Sequence, residues 1–304
     1  MSPLRLGTRG SPLALTQANM VADGLRSAHG WHEQAIEIVV IRTTGDRIQD
    51  RALADVGGKA LWTKELDRAL FDREIDFAVH SMKDVETIRP GGITIAAMLP
   101  RADVRDRLIG CDTVAGLAER ARVGTSSPRR AAQLRRIRPD LQITLFRGNV
   151  ETRLRKLADG EAEATLLAAA GLDRLGRPDI GTAIPTETML PAPAQGAVGI
   201  EALADNARVL NLLLAIDHGQ TRRCVAIERA FLATLGADCR SPVAALAVEE
   251  NGMIHLRAEI LSEAGEDHVA GEARFAAEDI DGPTALAREL LDAAVPSLRA
   301  LFAG

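Results

Sequence analysis

The stretch GTSSPRR, residues 124–130, closes one apolar run and opens an arginine-rich polar one. Ser126 or Ser127 can cap a helix, and Pro128 suits its first position, where a missing N–H costs nothing. Gly124 and Thr125 end the strand before it. The segment therefore predicts a strand-to-helix turn with Arg129 and Arg130 in the first helical turn. Cations are unfavourable there, because that turn carries unsatisfied N–H groups and the positive end of the helix dipole. The two arginines call for a negative partner.

The same grammar occurs earlier in the chain, in GTRGSP at residues 7–12. Each copy ends a strand, caps a helix and puts Pro just inside it, and each has arginine alongside (Arg9; Arg129 and Arg130). In an open α/β sheet such turns lie at the ligand-binding edge, so the two together point to paired anion sites. Either one alone reads more simply as an ordinary N-cap.

Outward from these turns, apolar runs alternate with amphipathic stretches. Leu4–Leu6, Ile36–Ile41, Phe77–Val79 and Ile93–Leu99 predict strands, with helices over Pro12–Arg26 and Leu61–Phe71 between them. The rhythm resumes with strands at 122–123, 143–145 and 165–167 and helices near 128–138 and 149–159. This alternation predicts largely parallel sheets covered on both faces. The last eighty or so residues differ. Thr221–Leu235 predicts a helix, Glu250-Asn251-Gly252 a hairpin turn between Val243–Val248 and Ile254–Leu261, and 274–275 the end of a further strand. Pro283–Phe302 predicts a final helix, giving a small α+β domain. PTETMLPAPAQGAVGIE (185–201) is expected to be a crossing between domains.

A chain of 304 residues is too long for one ordinary core and predicts two or three domains. Hydrophobic content of 46% with 26% charged residues is that of a globular protein, and no apolar run of about 18 residues predicts a membrane span. MSPLRLGTRG lacks the apolar stretch of a secretory signal. Cys111, Cys224 and Cys239 are odd in number and widely spaced, which argues against a disulfide framework and for a reducing cytoplasm. Net charge is -5, yet residues 120–156 hold eleven Arg or Lys against two acids. This segment reads either as a solvated face or as an anion site. Nucleic acid is disfavoured, because the chain has no Tyr and only 3% aromatics for stacking.

No GxSxG elbow, P-loop or GxGxxG fingerprint is present, and the six histidines show no metal-ligand spacing with the cysteines. His29 and His32 are expected to be solvated. HSMKD (80–84) follows the strand DFAV directly, which puts Asp84 at the edge where that strand emerges. It could be a general acid/base or the counter-ion of a developing cation; a helix cap or an ion pair with Lys83 is the plainer alternative. Cys239 lies in the loop GADCRSPV beside Arg240, which should favour its thiolate. It is a candidate nucleophile or attachment point, though a lone cysteine can equally be inert. Cys111 and Cys224 read as core fillers.

In order along the chain, TRGSPLAL, GGKALWTKEL, AVHSMKD, VGTSSPRR, RGNVETRL, AAAGLDRLG, LPAPAQGAVGIE and ADCRSPV resemble the hydroxymethylbilane synthase (porphobilinogen deaminase) family. The match runs from residue 4 to about residue 245, with a looser fit beyond. The resemblance implies two doubly wound, periplasmic-binding-protein-like α/β domains and a small α+β C-terminal domain. It gives 1–99 with 195–217, then 100–194, then 218–304, in a cytoplasmic monomer that binds no metal and no membrane. It further implies a dipyrromethane cofactor joined by a thioether to Cys239. Onto it four porphobilinogens are added in turn with loss of ammonia, before water releases the linear tetrapyrrole. Asp84 matches the family's catalytic aspartate. Arg9, Ser11, Ser81, Lys83, Thr125, Ser126, Ser127, Arg129, Arg130, Arg147, Asn149, Arg153, Arg174 and Gln195 match positions that bind cofactor or substrate. Each pyrrole carries two carboxylates, and arginine forks bind carboxylates while staying charged at any working pH.

Two positions depart from the family pattern. Glu86 stands where Pro is usual, which is expected to loosen or re-aim the loop after Asp84, and Trp62 replaces a usual Phe. Three other readings remain at this point: a non-enzymatic anion-binding protein, a nucleic-acid binder using 120–156, and a cysteine hydrolase that needs a His near Cys239.

Overall fold

Leu4–Arg9 (β1) is buried at Leu4, Leu6, Gly7 and Thr8, so both of its faces are covered, as a central parallel strand requires. The computed structural model describes residues 3–42 and 63–302. Gly57, Gly58, Lys59 and Trp62, with the expectation about Trp62, lie outside the described residues. After β1, the Ser11 hydroxyl accepts from Ala14 N at 3.3 Å and opens α1 (Pro12–His29), with Pro12 in its first turn. Gly30, at φ 65°, ends α1 in the left-handed conformation that a helix stop commonly takes. The expected Pro12–Arg26 helix thus runs one turn longer.

β2 (Ile36–Ile41) pairs in parallel with β1, Leu4 opposite Ile36. α2 (Lys64–Phe71), β3 (Phe77–Ser81) and β4 (Ile93–Met98) follow. Between β3 and β4 lies the returning strand Val198–Leu203, antiparallel to both, in the order β2-β1-β3-(198–203)-β4. This strand corrects the expectation that 185–201 is wholly a crossing. Both of its faces are covered, so its apolar residues run on without alternation and blend into the Pro/Gly-rich segment before them. Leu6, Val21, Leu25, Phe77, Val198 and Ile200 form the core here. The solvated state expected for His29 is also corrected: its ring stacks on Trp31 at 4.4 Å and reaches Leu212 O at 2.9 Å.

The chain divides into two compact units. One holds the described residues up to Ala102 with Gly196–Arg222; the other holds Asp103–Gln195 and the described residues from Arg223 onward. In the second unit β5 (Asp106–Ile109), which was not expected from the sequence, precedes β6 (Arg122–Gly124), α3 (Pro128–Ile137) and β7 (Gln142–Thr144). α4 (Val150–Ala158), β8 (Ala164–Ala168), α5 (Ala169–Arg174) and β9 (Thr182–Ala183) complete this α/β part. The sheet order is β7-β6-β8-β5-β9. Its winding repeats that of the first sheet: first strand inside the second, third next, and one antiparallel strand before the fourth. In both sheets the antiparallel member, β5 or β10 (Val198–Leu203), is the strand made just after the chain changes unit.

After α6 (Ala207–Leu213) and α7 (Gly219–Thr234) comes an antiparallel sheet of β11 (Val243–Glu250), β12 (Met253–Leu261) and β13 (His268–Ala276). Asn251 and Gly252, at φ 52° and 76°, form the tight hairpin turn expected of that pair. α7 and α8 (Gly282–Ala293) cover the sheet around Phe231, Leu235, Leu256, Leu286 and Leu290. The single helix expected from Pro283 to Phe302 is corrected to α8 and a short α9 (Pro296–Arg299). Val295 precedes a proline, whose ring pushes the residue before it out of helical geometry, and its backbone is extended. No helix among the described residues is long and apolar enough to cross a membrane.

Candidate functional site

In the first unit, β1, the start of α1 and the end of β3 converge on a recess lined by Arg9, Ser11, Gln17, His80, Ser81 and Asp84. This is the strand-end edge that the two motifs GTRGSP and HSMKD were expected to share. Asp84 is half-buried in a single 3-10 turn, Met82–Asp84, that leaves β3. The turn is seated from below: Met82 N donates to Ala197 O at 3.1 Å, and the buried Met82 side chain lies on Gly199. A Cβ at position 199 would come within 2.1 Å of the Met82 sulfur, so glycine is required by close approach.

Three residues of this site escaped the sequence reading. Gln17, buried, hydrogen-bonds the Ser81 hydroxyl at 2.8 Å and so orients it. Its signal was a polar side chain on the otherwise apolar face of α1. His80 lines the recess on one side, and its Nε2 lies 3.1 Å from Glu201 Oε2, off line for a good hydrogen bond. Glu201 is fully buried in β10, where nothing in its apolar neighbours announces a carboxylate. Burial alone would raise its pKa, yet His80 and Arg89 beside it hold it down at about 2.

Arg89 gathers the rest of this cluster. It donates through Nε and Nη2 to both oxygens of Glu201 (2.7 and 2.9 Å), through Nη1 to Glu86 (2.8 Å), and through Nη2 to Asp67. Glu86 also accepts from Thr63 Oγ1 at 2.6 Å. The expectation that Glu86 loosens the loop after Asp84 is therefore corrected: its carboxylate is tied down by a buried guanidinium.

In the second unit the GTSSPRR turn forms as expected, with Ser127 as the cap, accepting from Arg130 N at 3.4 Å. The partner of its arginines is a surprise. Arg129 and Arg130 are only 3% and 5% exposed, and both face Asp106 at the start of β5. Arg130 Nη2 donates to Oδ1 at 2.7 Å; Arg129 Nη2 is 2.8 Å from Oδ2. Arg129 also donates to Gln133 and Leu190 O, and Arg130 to Leu166 O. The expectation that both stand open to an outside carboxylate is corrected: an internal one already holds them. Burial would raise the Asp106 pKa, but the two guanidinium groups drive it far below the carboxylate range. A second buried carboxylate, Glu259, also acts on Arg129 and accepts from the Gln133 amide that Arg129 contacts.

Gln195, expected beside the substrate, is also buried, and its Nε2 donates to Asp106 Oδ1 (2.9 Å) and Val104 O (2.7 Å). Thr125 is buried and accepts from Ser127 N, while Ser126 is half-exposed and accepts from Arg153 Nη2 at 3.3 Å. Asn149 caps α4 through Thr152 N at 2.9 Å, which occupies its side-chain oxygen. Arg147 is buried, and Lys83 and Arg174 are half-buried. Burial lowers the Arg174 pKa.

Of the three cysteines, none in a disulfide, Cys224 is buried, Cys111 half-buried and Cys239 exposed. Cys239 sits on the turn between α7 and β11. Its neighbour Arg240 is gripped first by Asp238 at 2.8 Å, so the thiolate shares that cation with a carboxylate.

Two family models match the chain: "Porphobilinogen deaminase, dipyromethane cofactor binding domain" over residues 4–211 and "Porphobilinogen deaminase, C-terminal domain" over residues 222–294. The chain belongs to the porphobilinogen deaminase family. It is similar to the porphobilinogen deaminase of Sphingopyxis alaskensis, 59% identical over 308 residues, 99% of this chain and 97% of that one. The porphobilinogen deaminase of Paracoccus denitrificans is 50% identical over 274 residues, 89% of this chain and 88% of that one. A periplasmic substrate-binding protein of an ABC transporter from Coxiella burnetii superposes with a TM-score of 0.44 at 14% identity, over 75% of this chain and 95% of that one. The group named in the first family model is a dipyrromethane, and the sequence resemblance implies its attachment to a cysteine. Cys239 alone of the three cysteines is exposed, which fits that attachment.

Proposed function

We propose that this porphobilinogen deaminase is a cytoplasmic transferase that joins four porphobilinogens head to tail, expelling ammonia at each addition, and releases the linear tetrapyrrole by hydrolysis. The exposure of Cys239 carries the reading, because it is the most accessible of the three thiols. Three cysteines with no disulfide among them support a reducing compartment. The dipyrromethane, when bound through Cys239, supplies a tethered pyrrole to which new units are attached. We further propose a division into 1–99 with 195–217, 100–194 and 218–304.

Asp84 is the proposed catalytic group. Loss of ammonia leaves the substrate pyrrole electron-poor and cationic, and a half-buried carboxylate lowers the energy of that charge more than water would. The same carboxylate accepts a pyrrole N–H and relays protons while the bond forms. Arg9, with Ser11 and the positive end of the α1 dipole, is suited to a substrate carboxylate beside Asp84. Lys83 and the Ser81 hydroxyl border the same turn. In the second unit, Arg147, Arg153 and Arg174, with Thr125, Ser126, Ser127 and Asn149, are the proposed carboxylate ligands. Arg129, Arg130 and Gln195 support them from below through Asp106.

The intact mass of freshly purified protein tests the reading. The expected result is an excess of two linked pyrrole units on the peptide containing Cys239, absent from Cys239→Ala. A bare polypeptide mass that persists after incubation with porphobilinogen would overturn it.

A further inference from the structure

We propose that Glu86 and Arg89 are positioning residues for Asp84: the buried guanidinium, anchored on Glu201 and Asp67, clamps the chain two residues beyond Asp84 and sets how its carboxylate faces the recess. The inference rests on the reading of Asp84 as the catalytic group.

The front of the Met82–Asp84 turn is fixed by β3 and by Met82 on Gly199. Its rear needs a second fixed point, since a short turn held at one end can rotate. That point is Glu86. Two residues of chain reach at most about 7 Å, so a fixed Glu86 leaves Asp84 little latitude. The buried Val85 lies between them, and its N–H donates back to Met82 O at 3.2 Å, closing the turn on itself.

Arg89 is suited to this task by its donor count. A guanidinium has five N–H donors in one plane, and here they reach Glu201 twice, Glu86, Asp67 and Thr63 Oγ1 (3.3 Å). Only 8% of its side chain is exposed, so these bonds compete with little water. Glu201 ties the clamp to β10, an interior strand of the sheet, and Asp67 ties it to α2. Thr63 both lines the recess and donates to Glu86, so the clamp touches the site wall directly. Such a network could serve stability alone. The choice between that and positioning lies in whether its loss is felt through Asp84.

A mutant square on protein fully loaded with dipyrromethane, as checked by intact mass, decides this. Wild type, Glu86→Gln, Asp84→Asn and the double variant are compared in single-turnover addition of porphobilinogen, with kcat, KM and thermal midpoint measured alongside. Glu86→Gln keeps the shape but removes the charge that Arg89 holds. The expected result is a ten- to hundredfold fall in kcat, about the loss seen when a reacting group is moved off its productive geometry, with KM changed less than twofold. On the Asp84→Asn background the same substitution should cost nothing further. An equal loss on both backgrounds, a change in KM alone, or no loss at all would overturn the proposal. Arg89→Lys, which keeps the charge but gives up the planar fork, repeats the square should Glu86→Gln fold poorly. Near-normal turnover by Asp84→Asn itself would remove the underlying assignment, and the clamp's role with it, which is a different result from any of these.

Discussion

Asp106 Oδ1 lies 2.7 Å from Nη2 of Arg130, and this contact resolves the electrostatic puzzle of the GTSSPRR turn. Two cations in the first turn of a helix repel each other and the dipole. The relief comes from a carboxylate at the start of β5, just after the chain enters the second unit. Gln195, the last residue before the chain leaves that unit, donates to the same oxygen at 2.9 Å. One buried carboxylate thus joins the entering and leaving segments to the helix that carries both arginines.

Asp106→Asn should therefore destabilise the protein strongly, because it takes from two buried guanidinium groups the carboxylate that contacts both. The expected loss is about 3–5 kcal/mol in urea unfolding. The folded pKa of Asp106 is depressed, so its contribution is complete above the ordinary carboxylate range and declines only as the pH falls below it. A loss under 1 kcal/mol would show that the pair is mostly hydrated.

Glu201 gives a second pH signature. Its pKa falls from 4.5 to about 2 on folding, which corresponds to about 3 kcal/mol of stability. That stability is present above pH 4.5 and lost as the pH falls through about 2. Wild type should exceed Glu201→Gln most at neutral pH, and the gap should narrow across this window. A gap that is constant with pH would refute the ion-pair account.

Asp84→Asn should retain the fold while losing roughly a hundredfold in turnover, which is about 3 kcal/mol of transition-state stabilisation. Rapid-quench measurement of a single addition isolates the chemical step. A rate within threefold of wild type would remove Asp84 from the chemistry.

Thiol labelling of protein stripped of its cofactor should order the cysteines by exposure. Cys239 should react with iodoacetamide first, Cys111 more slowly, and Cys224 only with unfolding. Cys224 reacting as fast as Cys239 in the folded protein would contradict the packing around α7.

The sequence alone determined the strand-to-helix turns, the cap before α1 and a serine cap at Ser126 or Ser127 before α3, the hairpin at Asn251-Gly252 and the distinct character of the last eighty or so residues. These are local: each follows from residues within a few positions of one another, through capping, proline and glycine conformation, and periodicity. The exposed Cys239 and the site of Asp84 at a strand end were legible for the same reason. Tertiary structure alone decided where the charges go. Asp106 and Arg130 are 24 residues apart, and Glu201 and Arg89 are 112 apart. Their pairing depends on β5, whose four residues Asp106–Ile109 are too few and too polar to announce a strand, and on β10, which is buried at every position and so lacks the alternation that marks one. Burial then makes each such carboxylate costly unless a guanidinium meets it, and only the fold brings the two together.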